Sequence, residues 1–281
     1  MQIVETIKQV RQIIALQKKR GKRIGFVPTM GALHQGHLSL IRLAKKHSDF
    51  VVVSIFVNPT QFGPKEDYKK YPRNLKKDAA LCQSAGADLI FSPNVKEVYS
   101  KGFSTFINVE GLTQGLCGAS RPGHFRGVAT VVSKLLNIVQ PDAAVFGQKD
   151  AQQLAVIRQM TKDLDLPIKI IGAPIVRERD GLAMSSRNAY LTLEERAEAP
   201  ALYRALQLAV SMVKSGKREA DSVKREMAKL LYRDAPLGEI DYIEIVDNEA
   251  LKPVKQVKKN TLIALAMNFP SARLIDNIIG A

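Results

Sequence analysis

The sequence predicts an α/β protein: a Rossmann-like, doubly wound parallel-sheet domain followed by a smaller α+β C-terminal domain. Three observations carry that expectation. Apolar, β-branched runs alternate with helical patterns from the N-terminus to about residue 176, the order that builds a parallel sheet. Phe50–Val57, FVVVSIFV, is apolar almost throughout, as a strand covered on both faces must be. After about Asn188 the texture changes to two amphipathic helices and then short strands.

In chain order, MQIVETIKQVRQIIALQKKR spaces its apolar residues as an amphipathic surface helix, with charges scattered throughout. It lacks the uninterrupted apolar segment of a signal peptide. Arg23–Val27 is a short strand and His37–His47 has helical spacing. Phe50–Val57 is the second strand, and Asn74–Ala85 reads as helix stopped by Gly86. Asp88–Phe91 and Thr105–Val109 read as strands, the latter a candidate edge strand. Gly127–Val139 is helix, Ala143–Phe146 strand, Ala151–Leu164 helix with Asp150 placed to cap it, and Ile168–Val176 strand. Leu193–Lys214 and Ala220–Tyr232 follow as helices. Asp241–Val246, Thr261–Met267 and Arg273–Ile279 are the closing strands. The expected domains are 1–183 and 184–281.

Composition narrows the class. Hydrophobic residues at 46% and charged residues at 25% suit a soluble globular chain of 281 residues. No stretch approaches the roughly 20 apolar residues of a membrane-spanning helix, so no membrane partner and a cytoplasmic location are expected. Cys82 and Cys117 have no ligand-like neighbours and read as buried or incidental thiols in a reducing compartment. The net charge of +15 fits a nucleic-acid surface, a lysine-rich solvated exterior, or a site for anionic substrates. The lysines form no basic block and aromatics are only 6%, without tryptophan. That combination disfavours an RNA-binding face, and no nucleic-acid partner is expected.

The chemistry concentrates in PTMGALHQGHLSL, Pro28–Leu40. It sets His34 and His37, half of the chain's four histidines, at a strand-to-helix turn with Gly31 and Gly36. Glycines let the backbone approach a ligand, and the N–H groups that open a helix attract phosphate. A buried histidine bonded to a carbonyl, or two solvated turn residues, are the plain alternatives. A metal pair lacks an obvious third ligand. FGQKDAQQL, Phe146–Leu154, repeats the arrangement at a second strand end: Lys149 can meet a phosphate as a point charge, and Gln153 lies one turn inside the helix. Asn58 and Gln61 in VNPTQF are neutral amides that can bind a carboxylate or hydroxyls. Ser185, Ser186 and Arg187 in MSSRN can coordinate a polyphosphate or simply link two domains. Arg121 and His124 precede a helix. No Ser–His or Cys–His nucleophile is evident.

His34-Gln35-Gly36-His37 resembles the HxGH signature of the nucleotidylyltransferase superfamily. The longer string PTMGALHQGHLSLI is similar to the pantoate–β-alanine ligase family. So are VNPTQFGPKEDYKKYPR, RPGHFRGVATVVSKLLNIVQPDAAVFGQKDAQQLAVIRQM and GLAMSSRNAYL, in order and over essentially the whole chain. The resemblance implies a ligase joining pantoate to β-alanine through a pantoyl adenylate, with ATP as substrate and Mg2+ as cofactor. It implies ATP contacts at Met30, His34, His37, Gly147, Gln148, Lys149, Asp150, Val176, Met184, Ser185, Ser186 and Arg187, of which His34, His37 and Lys149 are catalytic. Pantoate falls to Asn58, Gln61 and Gln153, and β-alanine to Gln61. The family places acidic residues after its YPR stretch, where Lys76 and Lys77 here precede Asp78. Asp78 is thus the candidate for contact with a metal, which ATP phosphates and waters can also hold. GPKEDYKKYPR matches a lid, MSSRN a degenerate KMSKS loop, and a homodimer is implied. A nucleotidylyltransferase acting on a phosphate-bearing cofactor precursor is the rival within the superfamily, and an RNA-binding protein the rival outside it.

Overall fold

The computed structural model describes residues 1–64 and 66–280. The chain forms two compact units that interleave in sequence. One comprises Met1–Thr113, Arg121–Gln148 and Val156–Pro174; the other comprises Gln114–Ser120, Lys149–Ala155 and Ile175–Ala281.

The first unit is built on a six-stranded sheet. Its elements begin β1 (Gln2–Val4), α1 (Ile7–Lys19), β2 (Ile24–Thr29), α2 (Gln35–His47), β3 (Phe50–Ile55), α3 (Leu75–Ala85), β4 (Leu89–Phe91) and α4 (Val95–Val98). After α5 (Cys117–Ser120), a short helix of the second unit, come α6 (His124–Val139), β5 (Ala143–Gly147), α7 (Ala151–Asp163) and β6 (Lys169–Ala173). The strands run in the order β1-β4-β3-β2-β5-β6, and every pairing is parallel. Phe26 is matched to Val52 on one side and Ala144 on the other.

Strand interiors are apolar on both faces because helices cover both. Val27, Val51, Val53, Ile90 and Val145 pack with Leu38, Ile41 and Ala44 of α2 and Cys82 and Ala85 of α3. Side chains alternate along a strand, and α1 and α6 contact each other and β2. Phe26, Val52, Leu89 and Phe91 are fully buried, each contributing roughly 1.5–3 kcal/mol of transfer free energy. Local signals set the helix ends. Thr6 and Gln9 form a capping box at α1, and the Asn74 side chain accepts from Lys77 N–H at α3. Gly86 ends α3 with φ +94°, a left-handed conformation that glycine adopts without strain.

The second unit pairs β7 (Glu239–Asp247), β8 (Thr261–Asn268) and β9 (Arg273–Ile279) into an antiparallel sheet, with β8 central. Helices α8 (Leu193–Glu198), α9 (Ala201–Lys214) and α10 (Ala220–Asp234) precede it. Leu202, Leu206, Val223, Met227 and Leu231 pack with Ile263, Leu265 and Met267 of β8. Leu262 and Ala264, on the other face of β8, pack with Leu116, Val246 and Ala151.

Three sequence expectations change. Thr105–Val109 is extended but joins no ladder. Its Ile107 amide donates to Thr130 Oγ1 at 3.0 Å, and Arg126 stacks on Phe106, so α6 takes the bonds a strand would have used. The sheet edge is instead β1, inside a segment expected to be wholly helical. The helix expected over Leu193–Lys214 breaks into α8 and α9 at Ala199–Pro200, because proline has no N–H to continue the ladder. Among the described residues no helix is long and apolar enough to cross a membrane.

Candidate active site

In an open parallel sheet, the loops leaving adjacent strands diverge where the strand order reverses, and a crevice opens at their carboxyl ends. The reversal lies between β2 and β5: the chain runs outward from β2 through β3 and β4, then crosses back to β5 and β6. The Met30–His37 turn leaves β2 there, and the Gly147–Gln148 turn leaves β5.

The β2 turn is held from behind. Gly31 and Ala32 are both left-handed, φ +83° and +51°. This conformation aims the Ala32 and Leu33 amides at Asp78 of α3, which accepts them on Oδ2 at 3.0 Å and Oδ1 at 2.9 Å. A Cβ on Gly31 would lie 2.9 Å from the same carboxylate, so only glycine fits. Asp78 is 2% exposed. Each of its oxygens serves a backbone donor, one buried and one half-buried, which gives it a structural place. Among the described residues no three His, Cys, Asp or Glu side chains gather as a metal site. The described residues therefore offer no all-protein cage for magnesium.

His34 caps α2. Its Nδ1 accepts the Gly36 N–H at 3.1 Å, and His37 Nδ1 accepts the His34 N–H at 3.4 Å, a reciprocal box made of two imidazoles. The ring centroids are 4.1 Å apart. With Nδ1 accepting in both, the ring hydrogen of each belongs on Nε2. Two N–H donors thus stand at a helix N-terminus, where the dipole favours an anion.

Beyond β3, a single turn over Pro59–Gln61 carries the two expected amides. Asn58 is 1% exposed and engaged on every side. Its Nδ2 donates to Gln61 Oε1 at 3.0 Å and to the Gly127 carbonyl at 3.2 Å, and its Oδ1 accepts from Tyr99 Oη at 2.7 Å. That gives Asn58 a supporting place and no face for a ligand. Gln61 Nε2 points at the Met30 sulfur, 3.2 Å away, which brings the β2 and β3 turns together. Below it, His124 Nδ1 donates to the Gln61 carbonyl at 2.8 Å, and Arg121 Nη1 meets His124 Nε2 at 3.0 Å. Arg121 also grips Glu66 through Nε at 2.7 Å and Nη2 at 2.6 Å. Burial opposes ionisation of Glu66, but the Arg121 hydrogen bonds and charge outweigh it and hold the carboxyl below its ordinary value. Arg121 and His124 therefore tie the GPKEDYKKYPR stretch to the Gln61 turn. Lys65, within that stretch, lies outside the described residues.

Gly147 and Gln148 close a segment of the first unit, and the remaining expected residues belong to the second. Gln148–Asp150 make one 3-10 turn that runs directly into α7, with Asp150 exposed and inside that turn, where the sequence predicted a cap. Gln153 lies half-buried on the first turns of α7. Asn277 of β9 donates to the Lys149 carbonyl at 2.8 Å. Met184 N–H reaches the Val176 carbonyl at 3.0 Å, and Ser185 caps the Ser186–Tyr190 turn by accepting from Arg187 N–H. Val176, Met184, Ser185, Ser186 and Arg187 thereby sit on one hairpin. Arg177 anchors it through Asp276, with Nη1–Oδ2 at 2.6 Å and Nη2–Oδ1 at 3.0 Å. Burial pushes the Asp276 carboxyl up, and the Arg177 hydrogen bonds pull against it.

Tyr99, Asp276 and Asn277 were missed from sequence. A signal existed for the last two, since polar Asp-Asn interrupts the apolar strand RLIDNII and buried polar residues are rare without partners. Tyr99 gave none. Both cysteines are free and buried. Burial, with the Asp78 charge, pushes the Cys82 thiol up to about 12, so it is no nucleophile at neutral pH.

The parallel sheet, the donor-lined turns at its switch point and the separate antiparallel sheet define the class, a Rossmann-like α/β enzyme. Comparison with known proteins gives the particular family. The pantoate–β-alanine ligase family model matches residues 2–279. Pantothenate synthetases of Caldicellulosiruptor bescii and Thermotoga petrophila are 54% and 52% identical over 279 residues, covering 99% of both chains in each case. The crystal structure of pantothenate synthetase from Thermus thermophilus is 48% identical and superposes with a TM-score of 0.94 over 99% of each chain. A Francisella tularensis pantoate–β-alanine ligase, complexed with beta-gamma ATP and β-alanine, is 38% identical with a TM-score of 0.82, covering 99% of this chain and 97% of that one. The chain belongs to the pantoate–β-alanine ligase family.

Proposed function

We propose that this enzyme joins pantoate to β-alanine at the expense of ATP, through a pantoyl-adenylate intermediate. The observation that carries the reading is the His34–His37 pair, two imidazoles whose Nδ1 atoms accept backbone amides in one box at the N-terminus of α2. Family membership supports the substrates, as does the relative complexed with beta-gamma ATP and β-alanine.

A pantoate carboxylate oxygen attacks the α-phosphorus of ATP, forming the new P–O bond as pyrophosphate leaves with its electron pair. The β-alanine amine then attacks the activated carbonyl, loses a proton, and expels AMP to give pantothenate. The substrates supply every nucleophile, so the protein's work is positioning and charge stabilisation. His34 and His37 donate to the phosphates, and Lys149 balances charge that grows on the α-phosphate. Met30, Gly147, Gln148, Asp150, Val176 and Met184 cradle the nucleotide, and Ser185, Ser186 and Arg187 hold the β- and γ-phosphates. Gln61 and Gln153 orient pantoate, and Gln61 also meets β-alanine. Magnesium enters with ATP, its charge offsetting that of the polyphosphate. Residues 1–183 bind ATP and pantoate, and 184–281 supply the Ser185–Arg187 loop. The enzyme works on this reading as a cytoplasmic homodimer.

Removing one preorganised donor typically costs on the order of 100- to 1000-fold in rate. His37→Ala and Lys149→Ala should each reduce pantoate-dependent ATP–pyrophosphate exchange by about that factor with unchanged circular dichroism. Near-normal exchange in both variants would overturn the assignment.

A further inference from the structure

We propose that Tyr99 and Asn58 are positioning residues that lock the Gln61 carboxamide with its N–H side toward the substrate. This rests on the reading above, in which Gln61 contacts pantoate, and specifies how it does so.

The argument starts from groups whose hydrogen-bonding sense cannot change. The Gly127 carbonyl only accepts, so the Asn58 atom 3.2 Å from it is the amide nitrogen. The Thr60 backbone N–H only donates, so the Asn58 atom 3.4 Å from it is the oxygen. With Asn58 oriented in this way, its second N–H points at Gln61, 3.0 Å away, and the Gln61 atom it meets must be Oε1. Gln61 Nε2 is then turned the other way. Its neighbour there is the Met30 thioether at 3.2 Å, a weak acceptor. The amide therefore keeps donor capacity for an oxygen, and its complement is an acceptor such as a carboxylate or hydroxyl oxygen.

Tyr99 secures the far end of the relay. Its hydroxyl donates to Asn58 Oδ1 at 2.7 Å, beside the Thr60 hydroxyl at 3.0 Å from the same atom. The ring is held by Phe56, with centroids 6.2 Å apart, by Phe103 at 4.9 Å, and by the Lys134 ammonium 5.9 Å from its centroid. Burial pushes the Tyr99 phenol above its ordinary range, which keeps the hydroxyl protonated and donating. The reversed amide would set Asn58 Oδ1 against the Gly127 carbonyl and its NH2 against the Thr60 N–H, which makes it the costly state, and the two hydroxyls add their bonds to the observed orientation. The order Tyr99 O–H, Asn58 C=O and N–H, Gln61 C=O and N–H runs in one direction only.

The test uses the purified full-length enzyme and compares kcat/KM for pantoate with KM for ATP in pyrophosphate exchange. Gln61→Glu tests the underlying reading: it replaces the donor with a carboxylate and should lower pantoate kcat/KM about 100-fold. Asn58→Asp removes the donor that holds Gln61 Oε1, so Gln61 turns to donate inward and presents its oxygen. Pantoate kcat/KM should fall about 10- to 100-fold with ATP KM unchanged. Tyr99→Phe keeps the ring and should cost about 3- to 10-fold, because Thr60 still holds Asn58. Added to Asn58→Asp, Tyr99→Phe should cost nothing further, a coupling that general loosening of the fold would not produce. If Asn58→Asp fails to fold, Tyr99→Phe combined with Thr60→Val takes its place and should lower pantoate kcat/KM while sparing ATP KM. Loss in Gln61→Glu with pantoate kcat/KM within twofold of wild type in the relay variants would overturn the proposal alone. Normal pantoate kcat/KM in Gln61→Glu would overturn the reading beneath it. Parallel losses for pantoate and ATP would show a structural role only.

Discussion

Replacing Asp78 by alanine tests whether this carboxylate shapes the Met30–His37 turn or meets a metal. It accepts the Ala32 and Leu33 amides at 3.0 and 2.9 Å and is 2% exposed. Hydrogen bonds to a charged group contribute roughly 1.5–3 kcal/mol each, which sets an upper range of about 3–6 kcal/mol for the pair. Leu33 is buried, so its orphaned N–H carries the full penalty. Ala32 is half-buried, and water can recover part of its share. The expected loss is therefore near the lower end, about 3 kcal/mol. For a domain of some 150–250 residues that corresponds to a drop in Tm of about 6–12 °C. His34 opens the helix just after these two amides, so exchange activity should fall as well. Calorimetry and the magnesium dependence of pyrophosphate exchange read the two effects separately. Wild-type stability with a raised magnesium requirement would refute the reasoning and return Asp78 to the metal.

Two further outcomes follow from the same region. Gly127→Ala gains about 1 kcal/mol of helix propensity. Its Cβ, however, would overlap the Thr60 carbonyl and lie 2.7 Å from Gln61 Cα, and overpacking against backbone costs about 1–3 kcal/mol or more. A lower Tm and a raised pantoate KM are expected, and a higher Tm with unchanged KM would contradict the close approach. Glu66 has its carboxyl pulled below the ordinary value in the folded state. Its pairing with Arg121 therefore contributes fully above the unfolded carboxylate pKa of about 4.3 and is lost as pH falls through the lower folded value. Hydrogen-exchange protection of the 66–73 amides should hold from pH 8 to 5 and drop below about pH 4. In Arg121→Gln it should be low throughout, and equal protection in that variant at pH 7 would rule out the latch.

What the sequence revealed divides along a physical line. Phe50–Val57 read as a covered strand because burial on both faces leaves an apolar run whatever the neighbours are. Gly86 read as a stop because left-handed backbone selects glycine locally. The histidine pair reads as a candidate anion site because both residues lie in one turn. Each of these causes acts within a few residues. Thr105–Val109 has the β-branched composition of a strand, yet its Ile107 amide goes to Thr130, 23 positions away. β1 is three residues long with one buried side chain, and only its pairing with β4 makes it a strand.

The candidate site divides in the same way, and this explains why it was only half legible. Residues proposed to touch a ligand must carry particular chemistry, so the candidates His34, His37, Gln61 and Lys149 stand out by type and setting. Residues that orient them need only be present where the fold delivers them. Tyr99 lies 41 positions from Asn58 and looks like any aromatic at a helix end. Asp78 shows the reverse case: an acidic residue near candidate phosphate-binding motifs invited a metal, while its partners were two amides 45 and 46 positions away. A carboxylate's role is set by what fills its lone pairs, which composition cannot state. The orienting residues should therefore differ from the contact residues in kinetics. On the proposed reading, variants at His37 and Lys149 lower the rate of exchange at saturating substrates, whereas Tyr99, Asn58 and Gly127 variants act on how often Gln61 presents its donor and move pantoate kcat/KM with ATP KM unchanged.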